Sequence, residues 1–216
     1  MSIPQRFHAW ALIHGMDRYE AMVAQRKARL FEGIGGTVIE IGPGAGPNLR
    51  YCTGARRWIG IEPNPYLHEV LRGQIQRLGI EGEVLQGEAE AVPLPDRSAD
   101  AVIATLVLCS VADPSAVLRE VRRVLRPRGT FYFFEHVAAP AGSVLRGIQR
   151  MVRPAWKLLA DNCHPDRETE ELLRSAGFGN VEVERFVLSL AVVAPHIAGR
   201  AVALPEGSRE LSGDRP

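Results

Sequence analysis

Residues 38–48 read Val-Ile-Glu-Ile-Gly-Pro-Gly-Ala-Gly-Pro-Asn, and this run limits the folds open to the chain. An apolar segment carrying one carboxylate, Glu40, breaks into three glycines at alternate positions, Gly42, Gly44 and Gly46. A buried parallel strand that opens into a loop with little side-chain bulk lets a ligand lie against the backbone. The dinucleotide fingerprint G-x-G-x-x-G would require a glycine at position 47. That position is proline, which has no N–H to offer a pyrophosphate, and the third glycine comes one residue early. The pattern suits NAD poorly and suits a nucleoside without phosphates well. A tight strand-to-helix turn with no ligand would use the same residues, so the segments that follow must discriminate.

They do so by repeating the theme. Arg56 to Asn64 is a second short apolar run ending in an acid, Glu62, which is followed by Pro63. In a βαβ unit Glu62 falls at the end of the neighbouring strand, where a carboxylate can accept hydrogen bonds from both hydroxyls of a ribose. A helix-capping acid is the other use of that position. A third run, Glu83 to Gln86, precedes Gly87-Glu88-Ala89-Glu90, and Asp100 to Ala104 forms a fourth.

In this order the motifs resemble the class I S-adenosylmethionine-dependent methyltransferases. Those carry an acid-x-Gly-x-Gly-x-Gly loop, an acid after the second strand and an acid-Ala pair near the adenine. A finer resemblance covers roughly residues 19 to 204. Thr105 to Val111, Leu118 to Pro127, Phe131 to Ala139, Pro154-Ala155-Trp156, Asp161-Asn162-Cys163, Arg167-Glu168-Thr169 and Pro195-His196-Ile197 are similar to the animal methyltransferase-like seven proteins, which are thiol S-methyltransferases. Three positions depart from that pattern. Glu88 stands where Asp is commoner, Arg128 replaces the first glycine of an Arg-Pro-Gly-Gly turn, and Asn162 replaces a glycine.

Alternating strand and helix patterns predict an α/β fold covered on both faces. The resemblance implies a doubly wound, seven-stranded, mostly parallel sheet in the order 3-2-1-4-5-7-6. The expected organisation is a single domain over residues 1–204. Residues 1–33 form a helical lid, residues 138–176 a helical insert near the acceptor site, and residues 205–216 a flexible tail.

Composition excludes several partners. The net charge is +1, from 26 basic and 25 acidic residues, which gives no reason to expect nucleic acid. The most apolar early run, Ala9 to Ile13, is far short of the ~20 residues needed to span a bilayer. Cys52, Cys109 and Cys163 are odd in number and lack C-x-x-C spacing. Neither a disulfide framework nor a metal site is expected, and a reducing cytoplasm is.

The resemblance implies S-adenosylmethionine as cofactor. Gly42 and Gly44 would admit its methionine part, Glu62 would take the ribose, and Glu88 and the Ala89 N–H would take the adenine, with Gly46, Pro63 and Leu106 as further cofactor-binding residues around the crevice. Glu40 would favour the cationic end, or would instead hold the loop through backbone N–H groups. His136, just after the fifth strand, is the best candidate base, with Asp161 behind it. A structural histidine is the other use of position 136. Trp10 and Trp156 would wall the acceptor pocket or fill the core. The expected activity is S-methylation of a small apolar thiol. O-, N- or C-methylation of a natural product or quinone-like lipid is the alternative, and a non-catalytic cofactor-binding scaffold is the second.

Overall fold

The computed structural model describes residues 3–205, and the expected tail lies outside them except for its first residue. Seven strands form one sheet: β1 (Gly36–Ile41), β2 (Ala55–Ile61), β3 (Gly82–Leu85), β4 (Ala99–Thr105), β5 (Leu125–His136), β6 (Asn180–Val187) and β7 (Pro195–Val202). Their order is β3-β2-β1-β4-β5-β7-β6, as expected. β3, β2, β1, β4 and β5 run parallel, and β7 is antiparallel to both β5 and β6. The order reverses between β1 and β4, so the crevice at the C-terminal ends of those strands is where a ligand belongs.

Two helices precede the sheet, α1 (Ile3–His14) and α2 (Asp17–Leu30). α3 (His68–Leu78) and α4 (Pro114–Val124) are crossover helices, and α5 (Val144–Leu159) and α6 (Thr169–Ser175) follow β5. α4 starts where its sequence dictates. Pro114 occupies the first turn, and the Asp113 carboxylate accepts from the N–H groups of Ser115 and Ala116 at 2.9 and 3.0 Å. Val117, Leu118, Val121 and Val124 recur at helical spacing and are buried against Val102, Phe131 and Phe133.

Alternation along the buried strands sends neighbours to opposite faces. Ile39 and Ile41 join the core under α4, whereas Val38 joins Trp58, Leu71 and Ile75 under α3. Glu40 shares the face of Val38 and is therefore buried beneath the glycine loop. A third cluster joins Tyr19 and Val23 of α2 to Phe134.

Two of the departures from the family pattern have a backbone explanation. Arg128 has φ +64° and Asn162 has φ +61°, the left-handed region where glycine is at ease. Asn tolerates this conformation through its short polar side chain, and Arg has no such relief. Arg128→Gly should therefore raise stability, with relief of about 1–2 kcal/mol partly offset by the freer unfolded chain. Urea unfolding of the two proteins checks this, and an unchanged or lower midpoint would contradict it.

Candidate active site

A cavity of about 760 Å³ lies over the C-terminal ends of β1, β2 and β4. Its floor is the glycine loop. Gly42 has φ +59°, and a Cβ there would come within 2.8 Å of the Val107 side chain. Gly46 has φ +79°, and a Cβ there would meet Leu49 and Leu71 at 2.9 Å. The first glycine thus lets two loops touch, and the third seats the turn on α3. Gly42, Gly44 and Asn48 line the cavity, whereas Gly46 does not.

Glu62 is 4% exposed and lines the same space. One carboxylate oxygen accepts the Gly44 N–H at 3.0 Å and the other the Asn64 N–H at 2.9 Å. Burial pushes its pKa up to about 7, against the pull of those two hydrogen bonds. Pro63, Glu88, Ala89 and Leu106 also border the cavity. Leu106 has φ +57° at the head of the loop after β4, where its N–H donates to the Phe134 carbonyl at 2.9 Å. A bulky side chain held in that region is a strained feature, of the kind that gathers at functional sites.

Glu40 does not reach the cavity. Its carboxylate accepts from Asn48 Nδ2 at 2.8 Å and from Trp58 Nε1 at 3.1 Å. Asn48 Nδ2 also donates to Thr105 Oγ1 at 3.0 Å. With its donor nitrogen held by two acceptors, the Asn48 amide is fixed, and its Oδ1 has no partner. Glu20 of α2 presents a similar case. Its Oε1 accepts from the buried Lys27 ammonium at 2.8 Å, and its Oε2 has no partner. Both residues line the cavity, so two buried acceptors are available to a positively charged group. Neither Glu20 nor Asn48 stood out in the sequence, since a helix surface acid and a turn asparagine are ordinary.

His136 is also placed away from the cavity. It is 4% exposed, and its Nε2 lies 3.0 Å from the Cys163 sulfur. Asp161 does line the cavity, with φ +47°, and its Oδ2 lies 3.2 Å from Nδ1 of His8 on α1. Trp10 is 59% exposed and stacks on Phe7, so it neither walls the site nor fills the core. The insert contributes only its terminal turn, Ala160 to Asn162, to the cavity wall.

The loop after β4 hangs on a residue that sequence reading passed over. Glu135 is fully buried at the end of β5. Its carboxylate accepts the N–H groups of Val107, Leu108 and Cys109 at 2.9, 3.0 and 3.3 Å. Burial raises its pKa to about 7, and the three N–H donors oppose that rise.

A methyltransferase domain model matches residues 39–133. The human thiol S-methyltransferase TMT1B is 38% identical over 82% of this chain and 78% of its own length. Human thiol S-methyltransferase TMT1A is 37% identical over 93% of this chain and 87% of its own. Among solved structures, the YcgJ protein of Bacillus subtilis superposes with a TM-score of 0.65 at 18% identity, covering 87% of this chain and all of that one, which shows the fold. The chain belongs to the class I S-adenosylmethionine-dependent methyltransferases, in the branch that holds the thiol S-methyltransferases. It is an enzyme, and S-adenosylmethionine is its cofactor.

The residues present fit that group. The Glu20 and Asn48 acceptors suit its ammonium, Glu62 its ribose hydroxyls, and Glu88 with the Ala89 N–H its adenine. Gly44, where a Cβ would meet only Leu12 at 3.5 Å, leaves room beside the backbone. Two predictions follow from the two carboxylates whose burial opposes ionisation. A raised pKa means that the apo protein holds a proton on Glu62 below about pH 7, and an ionised carboxylate is the better acceptor for two hydroxyls. Cofactor affinity should therefore rise between pH 6 and 8, and Glu62→Gln should flatten the profile and weaken binding by roughly 1–3 kcal/mol. Calorimetry across that range checks it, and a profile unchanged by the substitution would contradict it. Glu135→Ala strands three buried N–H groups at about 1–3 kcal/mol each, so unfolding stability should fall by at least ~3 kcal/mol, and Glu135→Gln should lose less. Urea titration of both variants decides.

Proposed function

We propose that the chain transfers the methyl group of S-adenosylmethionine to the sulfur of a small, largely apolar thiol. The observation that carries this reading is the kind of base at the acceptor side of the cavity. His136 is turned into a buried contact with Cys163, and what faces the cavity is the His8–Asp161 pair at 3.2 Å. A partly exposed imidazole steadied by one carboxylate suffices for a thiol, whose ordinary pKa is near ~8.5. A carbon acid or alcohol asks for a stronger or more enclosed base. The walls support an apolar acceptor, since Leu12, Ile13, Leu106 and Val111 line that side. The names of the human relatives support the same acceptor atom.

The cofactor supplies an electrophilic methyl group on a sulfonium. The protein's share is positioning and exclusion of water. α1 serves as the lid in this reading. Its Gln5 carbonyl accepts from Asn64 Nδ2 at 2.9 Å on one side of the cavity, and its His8 reaches Asp161 on the other. Leu12 of α1 approaches Gly44 in between. His8 takes the thiol proton, and Asp161 orients the ring through the contact at 3.2 Å. No described helix is long and apolar enough to cross a membrane. All three cysteines are free, which supports a reducing, cytoplasmic setting.

The test is competition between a thiol and an alcohol of the same carbon skeleton, with products identified by mass spectrometry. The thioether should dominate by at least ~10-fold. His8→Ala should slow a thiol of high pKa by roughly 10- to 100-fold and a thiol of low pKa much less, because deprotonation limits only the former. Preferential methylation of the hydroxyl would overturn the assignment and promote O-, N- or C-methylation.

A further inference from the structure

Behind the acceptor wall the fold brings together three side chains that sequence spacing kept apart. Cys109 comes from the loop after β4, His136 from the end of β5, and Cys163 from the turn after α5. Their ligand atoms all lie within 4.8 Å of one another, and all three residues are buried. We propose that Cys109, His136 and Cys163 form a binding site for a thiophilic d¹⁰ cation, with Zn²⁺ favoured and Cu⁺ the alternative ion of the same chemistry.

Geometry is the first support. A tetrahedral cation holds sulfur at ~2.3 Å and nitrogen at ~2.0–2.1 Å, so its ligands stand roughly 3.4–3.8 Å apart. Sites already within 4.8 Å reach that spacing by side-chain adjustment, without movement of the sheet. Two thiolates and a neutral imidazole also balance a divalent charge, which is what a buried site requires. Soft sulfur donors beside an imidazole select zinc or cuprous copper over magnesium or calcium.

The surroundings are the second support. His136 Nδ1 and His196 Nε2 are buried without partners, the Trp156 indole N–H is directed at the Cys163 sulfur, and the His136 and His196 rings are 6.2 Å apart. The two imidazoles thus keep polar atoms free beside the cluster, where they can steady a ligand histidine or a bound water. Cys52 gives the internal contrast. It sits in an apolar cluster with Phe31, Leu49 and Trp58, and behaves as a small hydrophobe.

The site would act on the cavity through its neighbours. Ser110 and Asn162, each next to one of the cysteines, line the cavity, and Asn162 Nδ2 donates to the Ser110 carbonyl at 2.7 Å. The His164 N–H donates to the Cys109 carbonyl at 2.8 Å. A cation at the three ligands would clamp the loop after β4, β5 and the insert's terminal turn into one wall. The inference is independent of the identity of the acceptor.

The full chain, reduced and stripped with chelator, is incubated with Zn²⁺, Cu⁺ or Co²⁺ and passed through a desalting column. About one Zn²⁺ or Cu⁺ per chain should be retained, with a rise in Tm, because a cation that binds only the folded state stabilises it. The Co²⁺ form should show thiolate-to-cobalt charge-transfer bands. Cys109→Ser and Cys163→Ser should each lower retention at least ~10-fold, whereas Cys52→Ala should retain the metal. Should the serine variants not fold, zinc should slow alkylation of Cys109 and Cys163 in mild denaturant and leave Cys52 unprotected, read by peptide mass mapping. Retention below about a tenth of an equivalent, retention equal in the serine variants, or protection that includes Cys52 equally would overturn the proposal.

Discussion

The architecture of this site depends on one buried carboxylate. Glu135 sits where β5 ends and collects three successive N–H groups from the loop after β4. That loop has no ladder partner of its own, and a buried loop with unpaired N–H groups does not persist. With Glu135 in place, Leu106 can be held at positive φ and Val107 can pack against Gly42. The cofactor side and the acceptor side of the cavity are therefore set by the same carboxylate, although it touches neither.

A second layer of buried acids works in the same way. Glu40 takes the donors of Asn48 and Trp58, and in doing so fixes the Asn48 amide with its Oδ1 left unpaired. Lys27 takes one oxygen of Glu20 and leaves the other buried without a partner. Burial raises the pKa of Glu40 and lowers that of Lys27, in each case against the pull of its partners. Each of these buried groups has a hydrogen-bond partner, and Glu20 Oε2 and Asn48 Oδ1 are the acceptor atoms left over.

What could be read in the sequence, and what could not, follows from the range of the interactions. The glycine loop, Glu62 at the end of β2 and the capped α4 are local patterns, and all were legible. The crossing order of the strands came with the resemblance carried by those motifs. Glu40 was read as a site residue because it precedes the loop, but strand alternation directs it to the Trp58 side. His136 was read as a base because it follows β5, yet its partner, Cys163, lies in a turn after α5 that no local signal ties to it. The His8–Asp161 pair joins the first helix to the same turn, a contact that exists only once α1 has folded over the strand ends. Asn162 and Arg128 show the reverse case. Their oddity was visible in the sequence, and its cause, positive φ, was not.

These distances divide the site into two halves with different constraints. The cofactor half is built from strand ends and the loops directly after them, whose positions are fixed by parallel pairing of β1 with β2 and β4. The opposite wall of the cavity is built from α1 and the turn Ala160 to Asn162, which lie outside the sheet's pairing. α5 itself leaves Val144, Met151, Leu158 and Leu159 exposed, so the helix carries its terminal turn to the site without filling it. Substitutions in α1 or that turn leave the pairing of the sheet intact, while a change at Glu40, Glu62 or Glu135 removes hydrogen bonds that hold the loops at the strand ends.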